Sequence, residues 1–563
     1  MARDFTSVGV TGLGTMGAGI VEVFARGGLR VVATEVDDAA LERGRGVLAR
    51  STARAVAKGR LEQAEADALH GRVTFTTDLA GLAGCDLVVE AVPERPALKH
   101  ELFRRLDDVV APGAVLATNT SSLSVTDIAV ATAHPERVVG MHFFNPAPVQ
   151  RLVEVVTTVV TDDEVRDSVR ALAERLGKTP VVVGDRAGFI GNALLFGYLG
   201  HAVAMLESGR ATRDDIDTAA RVGLGYPMGP LALLDLIGLD TAEAILTTMY
   251  EQGRDRLHAP SPLLTELVAA GHLGRKTGRG FFVYPPPGSG GGDTTAPDAG
   301  GPAAGVREVG RVVVVATGDD DSAAAVDDRL GAWVDDLAAV GVDVDRVTVG
   351  NSGDGDARLA EADVVLVDVP AGDSGSALVA TVTSTLTDGT VVALTGAGAD
   401  GSLAGLAAAT GRPADVVGLQ PVTPVASAPL VEVVVGLDTS ESTVATTRAL
   451  CERLGRTAVT TRDRAGRLVE ALLVPYLCDA LRMVQDGYAS ADDVDTAMRN
   501  GCGLPRGPVQ ALDELGLDVA LDAARRLHSE TGEPGHAPPP LLTQLVAAGR
   551  LGTRTGEGVR RHP

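Results

Sequence analysis

The sequence predicts an α/β domain followed by an all-helical one, with the pair duplicated in tandem, and three observations carry this. Short β-branched runs at about 6–11, 30–35, 86–91, 114–118, 137–141 and 152–156 alternate with helical patterns, the signature of a mostly parallel sheet with crossover helices. After Gly188 only helical patterns follow, through FIGNALLFGYLGHAVAML, TRDDIDTAARVG and SPLLTELVAAG. The chain also matches itself. LLTELVAAGHLGRKTGRG (263–280) agrees with LLTQLVAAGRLGTRTGEG (541–558) at 13 of 18 positions, and DDIDTAARVGLGYPMGP (214–230) lies over DDVDTAMRNGCGLPRGP (492–508) at the same offset of 278. A self-match of this length marks a duplicated folding unit.

A chain of 563 residues is too long for one core and suits three or four domains of ~100–200 residues. The stretch YPPPGSGGGDTTAPDAGGPAAG (284–305) cannot bury a core and reads as a linker between the copies. The expected division is an α/β domain at 1–183, a helical domain at 184–284, a linker at 285–308, a degenerate α/β domain at 309–461 and a second helical domain at 462–563. A net charge of −24 argues against nucleic acid or an anionic membrane as partner. No apolar signal segment precedes the first strand and no apolar run approaches membrane-spanning length, so a cytoplasmic protein is expected. Cys85, Cys451, Cys478 and Cys502 are scattered, and the ten histidines form no HExxH or clustered pair. Neither a disulfide frame nor a metal site is expected.

The first strand runs into Gly12-Leu13-Gly14-Thr15-Met16-Gly17 and then a helix. In that setting the glycines allow a tight turn, close approach of backbone to a pyrophosphate and close packing of helix on strand, the Rossmann arrangement. Acidic Glu35 ends the next strand, 23 residues after Gly12. A carboxylate there accepts ribose hydroxyls and repels a 2′-phosphate, so NAD is the expected cofactor, with Asp37 as a second candidate for the same role. In the second copy VVVVATGDDD (312–321) sets acids where phosphates would lie, and no dinucleotide is expected there.

Overlaying the copies separates folding from chemistry. His142 falls on Gln420, Ser121 on or near Ala397, Asn145 on Thr423 and Asn192 on Glu470, while Glu154 alone is matched, by Glu432. Loss of a His, a Ser and two Asn amid persisting apolar residues points to a site in the first copy. His142 suits proton transfer near neutral pH, Glu154 on the next strand can orient it, and Asn192 and Ser121 can donate hydrogen bonds to reacting oxygens.

Residues 6–284 resemble the L-3-hydroxyacyl-CoA dehydrogenase family throughout, in GLGTMGAGI (12–20), DLVVEAVPER (86–95), NTSSL (119–123), HFFNPAPV (142–149), LVEVV (152–156), GFIGN (188–192), GYPMGP (225–230) and KTGRGF (276–281). The resemblance implies His142 as acid/base, Glu154 as its orienting partner, and Ser121 and Asn192 at the reacting oxygens. It further implies cofactor contacts at Glu94, Lys99, Ser121, Asn145 and Lys276. Ala193 stands where relatives often carry Arg, and Glu35 where Asp is common. It also implies that the helical domains pair about a two-fold axis, here within one chain as a pseudo-dimer.

An acyl-CoA handle needs local cations in an acidic protein. Arg43, Arg50, Arg54 and Lys58 recur at helical spacing, either as a solvated face or as a grip in which Arg54 and Lys58 hold the substrate. The span from Gly12 to Pro93 is 29 residues longer than that from Gly318 to Pro370, so the second copy is expected to lack this helical hairpin at roughly 41–70. The expected function is NAD-dependent oxidation of 3-hydroxyacyl-CoA to 3-oxoacyl-CoA. A dehydrogenase of a free hydroxy or sugar acid, or a non-catalytic NAD- or acyl-CoA-binding subunit, remain alternatives at this point. No crotonase-like segment is present.

Overall fold

The computed structural model describes residues 3–285, 305–317, 333–349, 354–370, 374–396, 402–422 and 430–562. Gly318, the acids at 319–321, Ala371, Ala397, Thr423 and most of the expected linker lie outside them.

The first copy opens on an eight-stranded sheet: β1 (Ser7–Thr11), β2 (Arg30–Thr34), β3 (Val73–Thr76), β4 (Leu87–Glu90), β5 (Val115–Thr118), β6 (Val138–Phe143), β7 (Leu152–Thr157) and β8 (Thr179–Gly184). The order is β3-β2-β1-β4-β5-β6-β7-β8. Helices cover both faces, so the central strands are buried along their whole length and read as continuous apolar runs. Only β6 and β7 pair antiparallel, because the segment 144–151 between them is too short for a crossover helix. Two strands escape the sequence pattern. β3 is a half-buried edge strand, and β8, at the opposite edge, carries Pro180, a residue that edge strands tolerate.

The second sheet repeats the first. Strands β9 (Arg311–Thr317), β10 (Asp343–Val349), β11 (Val364–Asp368), β12 (Val391–Thr395), β13 (Val416–Pro421), β14 (Leu430–Val435) and β15 (Thr457–Arg462) run in the order β10-β9-β11-β12-β13-β14-β15. Among the described residues only the pair β13–β14 is antiparallel here too. Between β2 and β4 the first copy holds the helices Asp38–Ala57 and Gln63–Gly71 and the strand β3, whereas between β10 and β11 the described residues hold one helix, Asp354–Ala360. The deletion therefore takes the sheet edge as well as the hairpin. Arg307, at the end of the expected linker, is bound to Ser442, Thr446 and Asp415, which ties that end to the second unit.

The helical halves meet along the helices Gly191–Glu207 and Val469–Gln485, equivalent elements of the two copies. Both are apolar nearly all round, as a helix buried on every side must be. One apolar cluster contains Leu194, Leu199 and Val203 from the first and Leu472, Leu477 and Leu481 from the second, and the Tyr198 and Tyr476 rings lie 5.9 Å apart. Polar contacts cross at equivalent positions. Arg210 donates to the carbonyls of Arg467 and Ala465, and Tyr488, 278 residues later, donates to the Gly184 carbonyl at 2.9 Å. Among the described residues no helix is long and apolar enough to cross a membrane.

Cutting the chain after Tyr284 exposes the face of Gly191–Glu207 that the second copy covers. An apolar patch of that kind drives association. Light scattering on the 1–284 fragment is expected to show a homodimer or aggregate, and a stable, fully active monomer would contradict the reading.

Candidate active site

The glycine-rich turn links β1 to the helix Thr15–Arg26, and its three glycines answer to different constraints. Gly12 has φ +87°, and a Cβ there would lie 2.8 Å from the Ala91 carbonyl. A Cβ on Gly17 would lie 1.7 Å from the Gly12 carbonyl oxygen, whereas one on Gly14 would meet nothing within 4 Å. Space above the helix N-terminus, with free N–H groups below it, suits a pyrophosphate. Glu35 accepts from Leu13 N at 2.6 Å and from Val36 N at 3.1 Å, which holds its carboxylate at the turn. Asp37, the other ribose candidate, instead caps the helix Asp38–Ala57 by accepting from Ala40 N at 2.7 Å. These residues fit a bound dinucleotide.

The antiparallel register of β6 and β7 sets His142 opposite Glu154. The imidazole Nδ1 lies 2.7 Å from Glu154 Oε2. His142 is 6% exposed and Glu154 fully buried. The second carboxylate oxygen accepts from Ile190 N at 3.1 Å and Gly191 N at 2.9 Å, N–H groups that a helix start leaves without intrahelical partners. Gly188 and Phe189 aim them, with φ +75° and +49°; a phenylalanine in that region is strained. The rings of Phe144 and Phe189 flank the imidazole at 4.5 and 5.7 Å. Asn192 Nδ2 donates to the Ser121 carbonyl at 3.3 Å, and Ser121 N and Oγ donate to Glu94 Oε1 at 2.8 and 3.4 Å. His142, Glu154, Asn192, Ser121 and Glu94 thus meet where the sheet joins the helical half.

Other expected site residues lie elsewhere. Lys99 is 1% exposed, and its Nζ lies 2.7 Å from Glu90 and 3.2 Å from Glu94. It holds Glu94 from behind. Lys276 pairs with Asp240 in the helical half. Asn145 is exposed on the loop after β6. That loop is anchored by Lys178, which donates to the Ala147 and Gln150 carbonyls at 2.6 and 2.8 Å; burial pulls its ammonium down to about 8. Arg43, Arg50, Arg54 and Lys58 are all exposed on their helix.

Sequence reasoning missed the buried support beneath the site. Glu90 accepts from Thr118 Oγ1 at 2.8 Å, Val92 N at 2.7 Å and Lys99 Nζ. Asn119 Oδ1 accepts from Phe143 N at 2.8 Å, next to His142. The available signal was an acid closing the apolar run DLVVE, as Glu35 closes β2.

In the second copy Gln420 stands opposite Glu432, and Glu432 Oε1 accepts from Leu468 N at 3.0 Å and Val469 N at 2.8 Å. The matched glutamate therefore persists because it joins the sheet to a helix, with or without a histidine. Burial raises the Glu432 carboxyl above its ordinary value. Glu470, in the place of Asn192, pairs with Arg526 at 3.1 Å. The surrounding cavity, about 410 Å³, is lined by Gln420, Arg467, Glu470, Arg526 and Glu530, a strongly charged replacement for the aromatic and amide groups of the first copy. Among the described residues no group of three His, Cys, Asp or Glu is placed to hold a metal ion.

Comparison with known proteins agrees with this geometry. The profile described as 3-hydroxyacyl-CoA dehydrogenase, NAD binding domain, matches residues 7–186 and 358–464, and that of the C-terminal domain matches 188–284 and 466–562. The chain belongs to the 3-hydroxyacyl-CoA dehydrogenase family. Half of the chain is similar to 3-hydroxybutyryl-CoA dehydrogenase of Mycobacterium tuberculosis, with 48% identity over 286 residues, 50% of this chain and 100% of that protein. Human mitochondrial hydroxyacyl-coenzyme A dehydrogenase is 42% identical over 284 residues, 49% of this chain and 90% of that one. The crystal structure of 3-hydroxybutyryl-CoA dehydrogenase from Escherichia coli K12 covers 97% of this chain and 100% of its own, with TM-score 0.72 and 30% identity. The tandem arrangement is therefore shared.

Lys99→Met leaves the buried Glu90 carboxylate without its cation, and such a loss costs about 3–5 kcal/mol. Denaturant unfolding is expected to show it, with partial recovery in the double variant Glu90→Gln/Lys99→Met. A loss below about 1 kcal/mol, the worth of an exposed pair, would show that Lys99 is not needed there.

Proposed function

We propose that the first copy is an NAD-dependent L-3-hydroxyacyl-CoA dehydrogenase, converting 3-hydroxyacyl-CoA and 3-oxoacyl-CoA reversibly, and that the second copy is catalytically inactive. The carrying observation is the His142–Glu154 pair at the junction with Asn192 and Ser121. The names of the three relatives described above, hydroxyacyl- or hydroxybutyryl-CoA dehydrogenases, support the thioester substrate. The units 1–183 and 184–284 supply this site, 309–461 and 462–563 form the inactive copy, and residues 285–308 serve as the connection. The two helical units act as an internal pseudo-dimer. Its place of work is the cytoplasm, where four unpaired thiols stay reduced.

Gly12, Gly14 and Gly17 with Glu35 would hold NAD, which when bound would supply the hydride acceptor. Glu154 keeps the proton of His142 on Nδ1, so Nε2 is the basic nitrogen. During oxidation Nε2 takes the proton of the substrate's 3-hydroxyl, and the buried Glu154 carboxylate stabilises the imidazolium. In reduction the same nitrogen returns it. Asn192 and Ser121 hydrogen-bond the reacting oxygen and the thioester carbonyl, fixing the position of C3 beside His142. Glu94, held by Lys99 and bonded to Ser121, sets the position of that serine. Arg54 and Lys58 offer exposed cations to the CoA phosphates.

His142→Gln installs the residue of the second copy. Turnover with acetoacetyl-CoA and NADH is expected to fall by at least ~10²-fold with NADH affinity nearly unchanged; retention of more than about a tenth of the wild-type rate would remove His142 from the mechanism. Free 3-oxo acids tested beside the thioesters discriminate the substrate class. Calorimetric titration is expected to give one NADH per chain, because the second copy's sequence carries Asp319, Asp320 and Asp321 in place of the later glycines of the dinucleotide turn. A stoichiometry near two would show that the second copy still binds.

A further inference from the structure

The second copy reaches the first copy's site. Its turn at Gly501–Cys502 lies directly behind the His142–Glu154 pair. A Cβ on Gly501 would fall 2.5 Å from Leu152 Cδ2, 2.8 Å from the Ala497 carbonyl and 3.1 Å from Phe144 Cε1. Leu152 is on β7, two residues before Glu154, and Phe144 is two residues after His142 with its ring 4.5 Å from the imidazole. Cys502 Sγ lies 3.9 Å from the carbonyl oxygen of Gly191, the residue whose N–H holds Glu154 at 2.9 Å. Burial and then the Glu154 charge push the Cys502 thiol up to about 12, so it is a packing group and no nucleophile. Each of the three anchors of the pair, the strand, the ring wall and the helix start, is thus backed by the other half of the chain.

We propose that Gly501 and Cys502 are positioning residues for the first copy's reaction, and that completing this wall is the work the inactive copy retains. The inference rests on the His142–Glu154 reading of the site. Packed interiors transmit small displacements, and an error near 1 Å in a catalytic geometry costs up to about 10²-fold in rate.

The chain supplies its own control. Gly223, 278 residues before Gly501, packs in the same way against the second copy, where a Cβ would lie 2.8 Å from Leu430 Cδ2 and 3.2 Å from Val469 Cγ2. Gln420 stands there in place of His142. Gly501→Ala and Gly223→Ala therefore perturb matched sides of one interface, and only the first touches the functioning site. In the full-length protein, Gly501→Ala is expected to lower kcat about tenfold or more, with KM for NADH within about twofold of wild type, while Gly223→Ala leaves kcat within about twofold. Thermal melting of both reports any general loss of stability. Cys502→Ala, which cannot clash, is the second variant and is expected to lower kcat about threefold; it decides the matter if Gly501→Ala does not fold. Wild-type kcat in the folded Gly501 and Cys502 variants, or an equal loss in Gly223→Ala, overturns the proposal. Wild-type kcat in those variants beside an inactive His142→Gln removes this inference alone, whereas an active His142→Gln removes both readings.

Discussion

The carboxylate of Glu154 accepts from Ile190 N and Gly191 N through one oxygen and holds His142 Nδ1 through the other. It is fully buried, and a buried carboxylate is tolerated only where donors surround it. Meeting that demand joins strand β7 to the helix that begins the helical half. The orientation of the imidazole, the angle at which the helix leaves the sheet and the place of Asn192 one residue later all depend on this joint. The strained turn at Gly188–Phe189 is maintained because it delivers the two N–H groups.

Duplication separates the structural part of that joint from its chemical part. Glu432 makes the same two backbone contacts in the second copy, and Arg467 repeats the positive φ of Phe189, yet Gln420 replaces the histidine. A carboxylate that organises a domain boundary persists where the histidine is absent, so persistence of an acid is weak grounds for a catalytic role. Loss of His142, Asn192 and their neighbours is the more informative half of the comparison. The helical halves diverge least because each is the other's core: Leu194 and Leu472 belong to one apolar cluster, and a change on either side is felt on both.

Much of the site was legible because its residues sit in short patterns with local causes. The glycine spacing follows from backbone approach, and His142 and Glu154 face each other because a short connection forces an antiparallel pair. Lys99 was legible as a residue, and only the packed fold shows Glu90 and Glu94 beneath it. Thr118 and Asn119 escaped notice since an uncharged polar residue at a strand end carries no periodic signal, and its partner comes from another strand.

By itself the sequence determined the tandem α/β and helical architecture, the glycine-rich turn and the pairing of His142 with Glu154, because these follow from hydrophobic period, turn chemistry and self-comparison along the chain. Only the tertiary structure decided that Asp37 caps a helix, that Lys99 is internal, that the deletion removes the sheet edge along with the hairpin, and that Gly501 and Cys502 stand behind His142 and Glu154. Each of these is a contact between segments far apart in the chain. Packing and the pairing of buried polar groups select such contacts, and neither leaves a local pattern in the residues that make them.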